Sequence, residues 1–228
     1  MNTASRLIAV GLLLSSTSVG HLHAQHMTAA ENPIFNGERK FTAGLALGTN
    51  ISQVDGDNLS GFSKVGLNAG AVLNINFTEK VGLGFEILYS QKGSSSVGTG
   101  YSTIAGSYYG KYKMKLNYAE LPLILYYNLQ PKFQFGIGAS YNVLISSKET
   151  YDDGMNPIYT ISSDDFPFNK SSVDALISGS VVVYQGLVLQ ARYQYSITPI
   201  RDFDHAYPLF AGGDQKNNFF ALRMIYLF

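Results

Sequence analysis

The chain has 228 residues, a formal net charge of zero, and 14% charged against 46% hydrophobic residues. That charge content lies well below the ~25% of an ordinary soluble domain, and the overall balance favours neither nucleic acid nor an electrostatic membrane-surface mode. Cys and Trp are absent, which excludes a disulfide framework and a thiolate metal site, while Tyr (16), Phe (14) and Gly (23) are abundant.

Residues 1–24 read as a secretory signal: Arg6 is the only charge, Leu7–Leu14 is a short apolar core, and Leu22-His23-Ala24 offers a cleavage point ahead of Gln25. The alternative is an uncleaved anchor, but this core is far shorter than the ~20 residues of a spanning helix. Segment 25–40 is expected to be a short periplasmic arm.

From residue 41 the hydrophobicity alternates in segments of about the ~9–11 residues that a tilted transmembrane strand requires. The first, 41–51, sets Phe41, Ala43, Leu45, Leu47 and Ile51 against Gly44, Ala46, Gly48 and Asn50. The second, 64–77, sets Val65, Leu67, Leu73 and Ile75 against Gly66, Asn68, Gly70 and Asn74, and the third, 81–91, sets Leu83, Phe85, Ile87 and Tyr89 against Gly84, Glu86 and Ser90. The fourth, 111–127, changes phase. Its apolar set begins as Tyr112, Met114, Leu116 and Tyr118 and continues as Leu121, Leu123, Leu125 and Tyr127. One extra residue at Ala119-Glu120, a β-bulge, explains the flip, and Pro122 suits such a site; two shorter strands meeting there is the alternative. The fifth, 133–146, alternates Phe133, Phe135, Ile137 and Tyr141 with Gln134, Gly136, Ser140 and Asn142. The sixth, 172–184, is the least regular. The seventh, 187–198, and eighth, 217–228, carry Leu189, Tyr193 and Tyr195, then Phe220, Leu222, Met224, Tyr226 and Phe228, opposite Gln190, Arg192 and Gln194, then Ala221 and Arg223.

The second face is small and polar, unlike the charged outer face of a soluble sandwich, and it suits a narrow lumen. The connections alternate long and short: 52–63, 92–110, 147–171 and 199–216 are long, whereas 78–80, 128–132 and 185–186 are short. Outer-membrane barrels have short periplasmic turns and longer extracellular loops. The expectation is therefore an all-β, eight-stranded antiparallel up-and-down transmembrane barrel over 41–228. It would be inserted in outer-membrane lipid with the help of the barrel-assembly machinery. A soluble lipocalin-like binder is the competing fold, disfavoured by the loop alternation and the uncharged apolar faces.

Glu86, Glu120, Arg192 and Arg223 fall near mid-strand on the lumenal parity. Facing lipid, such an Arg would cost roughly 2–4 kcal/mol, so a lumenal cluster is expected, with the two acids opposing the two arginines across the barrel. A structural plug is the simpler role for it and a gated pore or proton path the other. Tyr89, Tyr112, Tyr127 and Tyr226 are candidates for an interfacial girdle, though β-propensity alone also favours Tyr. The ending Ile225-Tyr226-Leu227-Phe228 resembles the signal read by the assembly machinery, with Tyr226 and Phe228 as its aromatics.

The segments GLALGTNISQ (44–53), GFSKVG (61–66), FEILYSQKG (85–93), YAELPL (118–123) and ARY (191–193) resemble, in order and spacing, the PorT-like outer-membrane β-barrel proteins of Bacteroidota. The resemblance implies an outer-membrane barrel, one branch of which is linked to a secretion and gliding machinery, and it supplies no catalytic residue. The long loops hold acidic pairs and, at Asp202, Asp204 and His205, a combination that could activate water or bind a metal. Asp is also common in turns for local hydrogen-bonding reasons, and no ligand spacing or cofactor motif accompanies these residues. The expected function is a non-enzymatic barrel whose loops bind an extracellular ligand, adhere, or contact a secretion or envelope-assembly partner. A rim enzyme built on His205 and a small passive pore are the alternatives.

Overall fold

The computed structural model describes residues 39–59, 61–103, 106–130, 132–152, 158–206, 208 and 212–228, with the backbone alone at 97–103, 106–110 and 130. The expected signal, 1–24, and nearly all of the expected arm, 25–40, lie outside these residues. The strands are β1 (Phe41–Asp55), β2 (Lys64–Asn76), β3 (Val81–Lys92), β4 (Ser95–Thr103), β5 (Gly106–Gln130), β6 (Phe133–Asp152), β7 (Tyr159–Ile161), β8 (Ser171–Tyr184), β9 (Leu187–Ser196) and β10 (Lys216–Leu227).

Eight of them form a closed antiparallel ring in which β3, β2, β1, β10, β9, β8, β6 and β5 are successive neighbours and β5 returns to β3. The β1–β10 seam is paired from Gly44↔Leu227 to Asp55↔Lys216. It is continued at its lower end by the Phe228 amide, which donates to the Ala43 carbonyl over 2.9 Å. The two remaining strands extend the wall above the ring, β4 continuing the β3–β5 register from Lys92↔Leu116 to Ser95↔Lys113. β4 pairs with the upper part of β5, and β7 with the upper part of β6, so both lie inside segments expected to be loops.

Burial is inverted relative to a soluble protein. Leu45, Leu123, Phe135 and Met224 point outward at 44–62% exposure, while Asn50, Glu86, Ser140 and Gln194 point inward at 1% or less. Among the described residues no helix is long and apolar enough to cross a membrane; the apolar belt is made by strands. On the outside, Phe220 meets Phe62 and Tyr193 at ring-centroid distances of 5.2 and 5.0 Å. Tyr89, Tyr127 and Tyr226 are exposed, whereas Tyr112 is fully buried and takes no part in a girdle.

The expected bulge at Ala119-Glu120 is absent. Even-numbered residues of β5 face inward without interruption from Tyr112 to Asn128. Phe85↔Leu123 and Leu88↔Glu120 keep one register with β3, and the pairing lapses only beside Pro122, which has no N–H to donate. The environment changes instead. β5 has 25 residues, about 80 Å of strand at ~3.3 Å per residue, far more than a bilayer requires. Below residue 119 its outer face meets lipid and is apolar. Above it Lys111, Lys113, Lys115 and Asn117 face out, and Tyr112, Met114, Leu116 and Tyr118 pack inward on Val54, Ile161 and Ile200. A true bulge lies next door in β6: Asn117 pairs with Ser146 and Tyr118 with Leu144, which leaves Ile145 extra and turns Glu149 inward.

Candidate functional site: the charged lumen and its cap

At mid-wall, Glu86 projects inward from β3 between two outward residues, Phe85 and Ile87. Its carboxylate accepts from Arg192 Nη2 at 2.8 Å and from Arg223 Nη1 and Nη2 at 2.9 and 3.0 Å. Arg192 stands on β9 and Arg223 on β10. Gly48, paired with Arg223, makes room, since a Cβ there would lie 2.9 Å from the arginine Cγ. Gln190 accepts from Arg223 Nε at 3.1 Å and donates to Ser180 Oγ at 3.0 Å, so the bonds continue beyond the charges.

Toward the long-loop end a second trio follows. The Lys92 ammonium contacts the Glu120 carboxylate and lies 3.2 Å from Asp174 Oδ2. Asp174 also accepts from Gln194 Nε2 and Ser196 Oγ, each at 2.8 Å. The ring of Phe219 faces the ammonium at 4.3 Å. The first trio has one excess positive charge and the second one excess negative charge, so the three acids and three bases cancel. None of the six is more than 3% exposed. Buried charges require such mutual compensation, because removing one partner leaves the other desolvated and alone.

The four sequence-predicted lumenal residues thus divide differently from expectation. Glu86 takes both Arg192 and Arg223, and Glu120 takes Lys92. Sequence reasoning missed Lys92 and Asp174. Lys92 has the lumenal parity of Glu86 six residues on, but lies one residue past the expected end of its strand. Asp174 sits in the least regular strand. Beside Glu86 a small recess of about 10 Å³ is lined by Asn74, Tyr126, Gln134 and Ser180. Tyr126 lies across two glycines that are small for this reason: a Cβ on Gly136 would come 2.7 Å from its ring, and one on Gly84 closer still.

Above the trios the mouth is filled by the buried cluster of Val54, Tyr112, Met114, Leu116, Tyr118, Ile161 and Ile200. One ion pair is embedded in this cap. Arg201 donates to both oxygens of Glu149, whose Oε1 also accepts from Tyr112, and the guanidinium stacks 3.5 Å from the Phe168 ring centroid.

Asp57, in the first long loop, is fully buried, with Oδ1 accepting from the Leu59 amide at 2.9 Å. Burial pushes its pKa up from 3.8 to about 6, against the opposing bond from Ser94. The folded loop therefore holds the proton more tightly than the unfolded loop does. The local stability it gains is full below the unfolded value and is lost as pH rises through about 6. A loss of up to roughly 3 kcal/mol is expected across that window. Hydrogen-exchange protection of residues 56–59, taken relative to the intrinsic exchange rate at each pH, should fall between pH 4 and 7, and Asp57→Asn should flatten the profile; an equally steep fall in the variant would exclude Asp57 as its source.

Asp202, Asp204 and His205 lie on and beside a 3₁₀ turn, Phe203–His205. His205 Nδ1 is 4.0 Å from Asp202 Oδ2, with both side chains half exposed. Among the described residues no cluster of three or more His or acidic side chains could hold a metal. Tyr226 and Phe228 face outward at the lower end of the seam, at 56% and 63% exposure.

A family model described as outer membrane protein beta-barrel domain matches residues 23–202. No curated protein matches the chain significantly. Among solved structures, Ail, the attachment invasion locus protein of Yersinia pestis, is 13% identical with a TM-score of 0.47, covering 83% of this chain and 100% of that one. Ail in complex with the heparin analogue sucrose octasulfate is 14% identical with the same score and coverage. Neisserial surface protein A is 11% identical with a TM-score of 0.42, over 83% and 98% of the two chains. The expected membership of the PorT-like family, and the Bacteroidota origin implied by it, are overturned by the family match, which is to the outer membrane protein beta-barrel domain. The segments that carried the resemblance lie mostly on wall strands, where lumen-facing and lipid-facing residues alternate, a pattern that a narrow membrane barrel imposes whatever its family.

Proposed function

Because the chain belongs to the outer membrane protein β-barrel domain family, we propose that it is a non-conducting barrel whose capped long-loop end, rather than its lumen, makes the functional contacts. The coarse reading is plain: a small, non-enzymatic barrel held in outer-membrane lipid. The finer reading is that the loops bind an extracellular ligand, a surface, or an envelope-assembly partner. What supports it is the state of the interior, where six charges are spent on one another and an apolar cap closes the mouth above them. A transport path needs water-exposed charges, and binding needs a rigid exposed rim; β4, β7 and the extended β5 and β6 supply the rim. On this reading a cleaved signal exports the chain, and Tyr226 and Phe228, facing lipid, are presented to the assembly machinery.

The test is electrical. The purified barrel in planar bilayers should give no stable conductance steps in molar salt. Steady openings in the wild-type protein would sink the non-conducting reading.

A further inference from the structure

The wall above the apolar belt carries a patch that neither the lumen nor the cap uses. Lys113 and Lys115 face outward from β5, Lys148 faces outward from β6, and all three are exposed. Lys115 and Lys148 are direct cross-strand partners, which puts two like charges about 5 Å apart at their Cβ atoms, an arrangement that destabilises a sheet. Lys113 stands one outward position higher, about 7 Å along the strand. Among the described residues none of the three exposed lysines forms an ion pair: Lys113 faces Thr150 on β6 and Ser95 on β4. Lys111, one position higher again, faces Asp152 and is left out of the patch.

Height fixes the ligand. The last outward apolar residue on β6 is Ile145 and on β5 Ala119, with Asn117 and Ser146 bonded to each other at 2.7 Å as a neutral step above them. Lys148 is three residues beyond Ile145. That is about 10 Å along a strand and about 8 Å in height at a ~40° tilt. The polar headgroup layer extends roughly 5–8 Å beyond the hydrocarbon core. The ammonium groups of Lys148 and Lys115 therefore reach the plane of headgroup phosphates, at the only edge of the patch that adjoins the belt.

We propose that Lys113, Lys115 and Lys148 form a binding site for the phosphate groups of a phosphorylated lipid headgroup in the outer leaflet. The anion relieves the repulsion that the register imposes and fixes the depth and rotation of the barrel in its membrane. The proposal rests on the membrane placement but not on the closed lumen.

The test is native mass spectrometry of the full-length barrel, released from detergent with diphosphoryl lipid A, phosphatidylethanolamine or inorganic phosphate. Each lysine near such a surface is worth about fivefold in affinity. K115Q/K148Q should thus bind diphosphoryl lipid A about 25-fold more weakly. K80Q/K132Q, at exposed lysines of the opposite rim, should bind as wild type does, and millimolar inorganic phosphate should displace little lipid. Unchanged retention by K115Q/K148Q would overturn the proposal, as would displacement of the lipid by inorganic phosphate alone, which would make this a free-anion site. The heat-dependent gel shift of each variant, read in parallel, separates loss of the site from loss of the barrel.

Discussion

Glu86→Gln should lower the free energy of unfolding by about 3–5 kcal/mol, the usual cost of removing one partner from a buried ion pair. The amide cannot balance two guanidinium groups, and Arg192 and Arg223 are both held inside by strands buried on their inner face. The loss would appear as an earlier urea midpoint for the heat-dependent gel shift of the detergent-solubilised protein. Removing the whole trio should be milder than removing its centre. Glu86→Leu combined with Arg192→Met and Arg223→Met replaces charge with similar volume, an exchange that is neutral or stabilising by 1–4 kcal/mol in other buried networks. The triple variant should unfold at or above the wild-type midpoint. If Glu86→Gln matched wild type within about 0.5 kcal/mol, water would have to reach the guanidinium groups, and the lumen would be open.

The second large effect separates the two environments of β5. Leu123 faces lipid at mid-wall, and Leu116 faces the cap interior seven residues away at 0% exposure. Leu123→Arg should cost roughly 2–4 kcal/mol, as charges on a lipid face do near the bilayer centre. Leu116→Ala should cost about 2–5 kcal/mol through the cavity it leaves. Lys113→Ala, outward above the apolar belt, should change stability in lipid-free detergent by less than about 0.5 kcal/mol. Were β5 bulged at residues 119–120, Leu116 would face lipid and its truncation would be nearly free. Urea titrations of the three variants distinguish the cases.

The alternation of apolar and small residues made the eight-stranded ring legible in the sequence, because a wall with lipid outside and a narrow lumen inside admits few other patterns. The phase change in β5 was legible too, but its cause was not. A shifted register and a change of surroundings both exchange which parity is apolar. Only the pairing of Phe85 with Leu123 and Leu88 with Glu120 in one register decides between them. The same limit hid β4 and β7. They are short strands that pair only with the parts of β5 and β6 lying above the membrane, where loop-like composition and strand geometry coexist. At the charged lumen, mid-strand position and parity placed Glu86, Glu120, Arg192 and Arg223 inside. Which acid meets which base depends on the stagger of strands across the barrel, and that stagger gave Glu120 to Lys92 instead of to an arginine. The Arg201–Glu149 pair carried no sequence signal, since the β6 bulge that turns Glu149 inward is invisible in the pattern.

The chain has no cysteine, so single cysteines can be introduced along β5 and spin-labelled without background. Accessibility to oxygen, which partitions into lipid, and to a water-soluble nickel complex should be measured from residue 111 to residue 127 in reconstituted vesicles. A continuous, sealed wall predicts that even positions are shielded from both reagents throughout. Odd positions should be open to the nickel complex at 111–115 and to oxygen at 121–127. A reversal of parity near residue 119, or nickel access at Glu120 and Ile124, would contradict it.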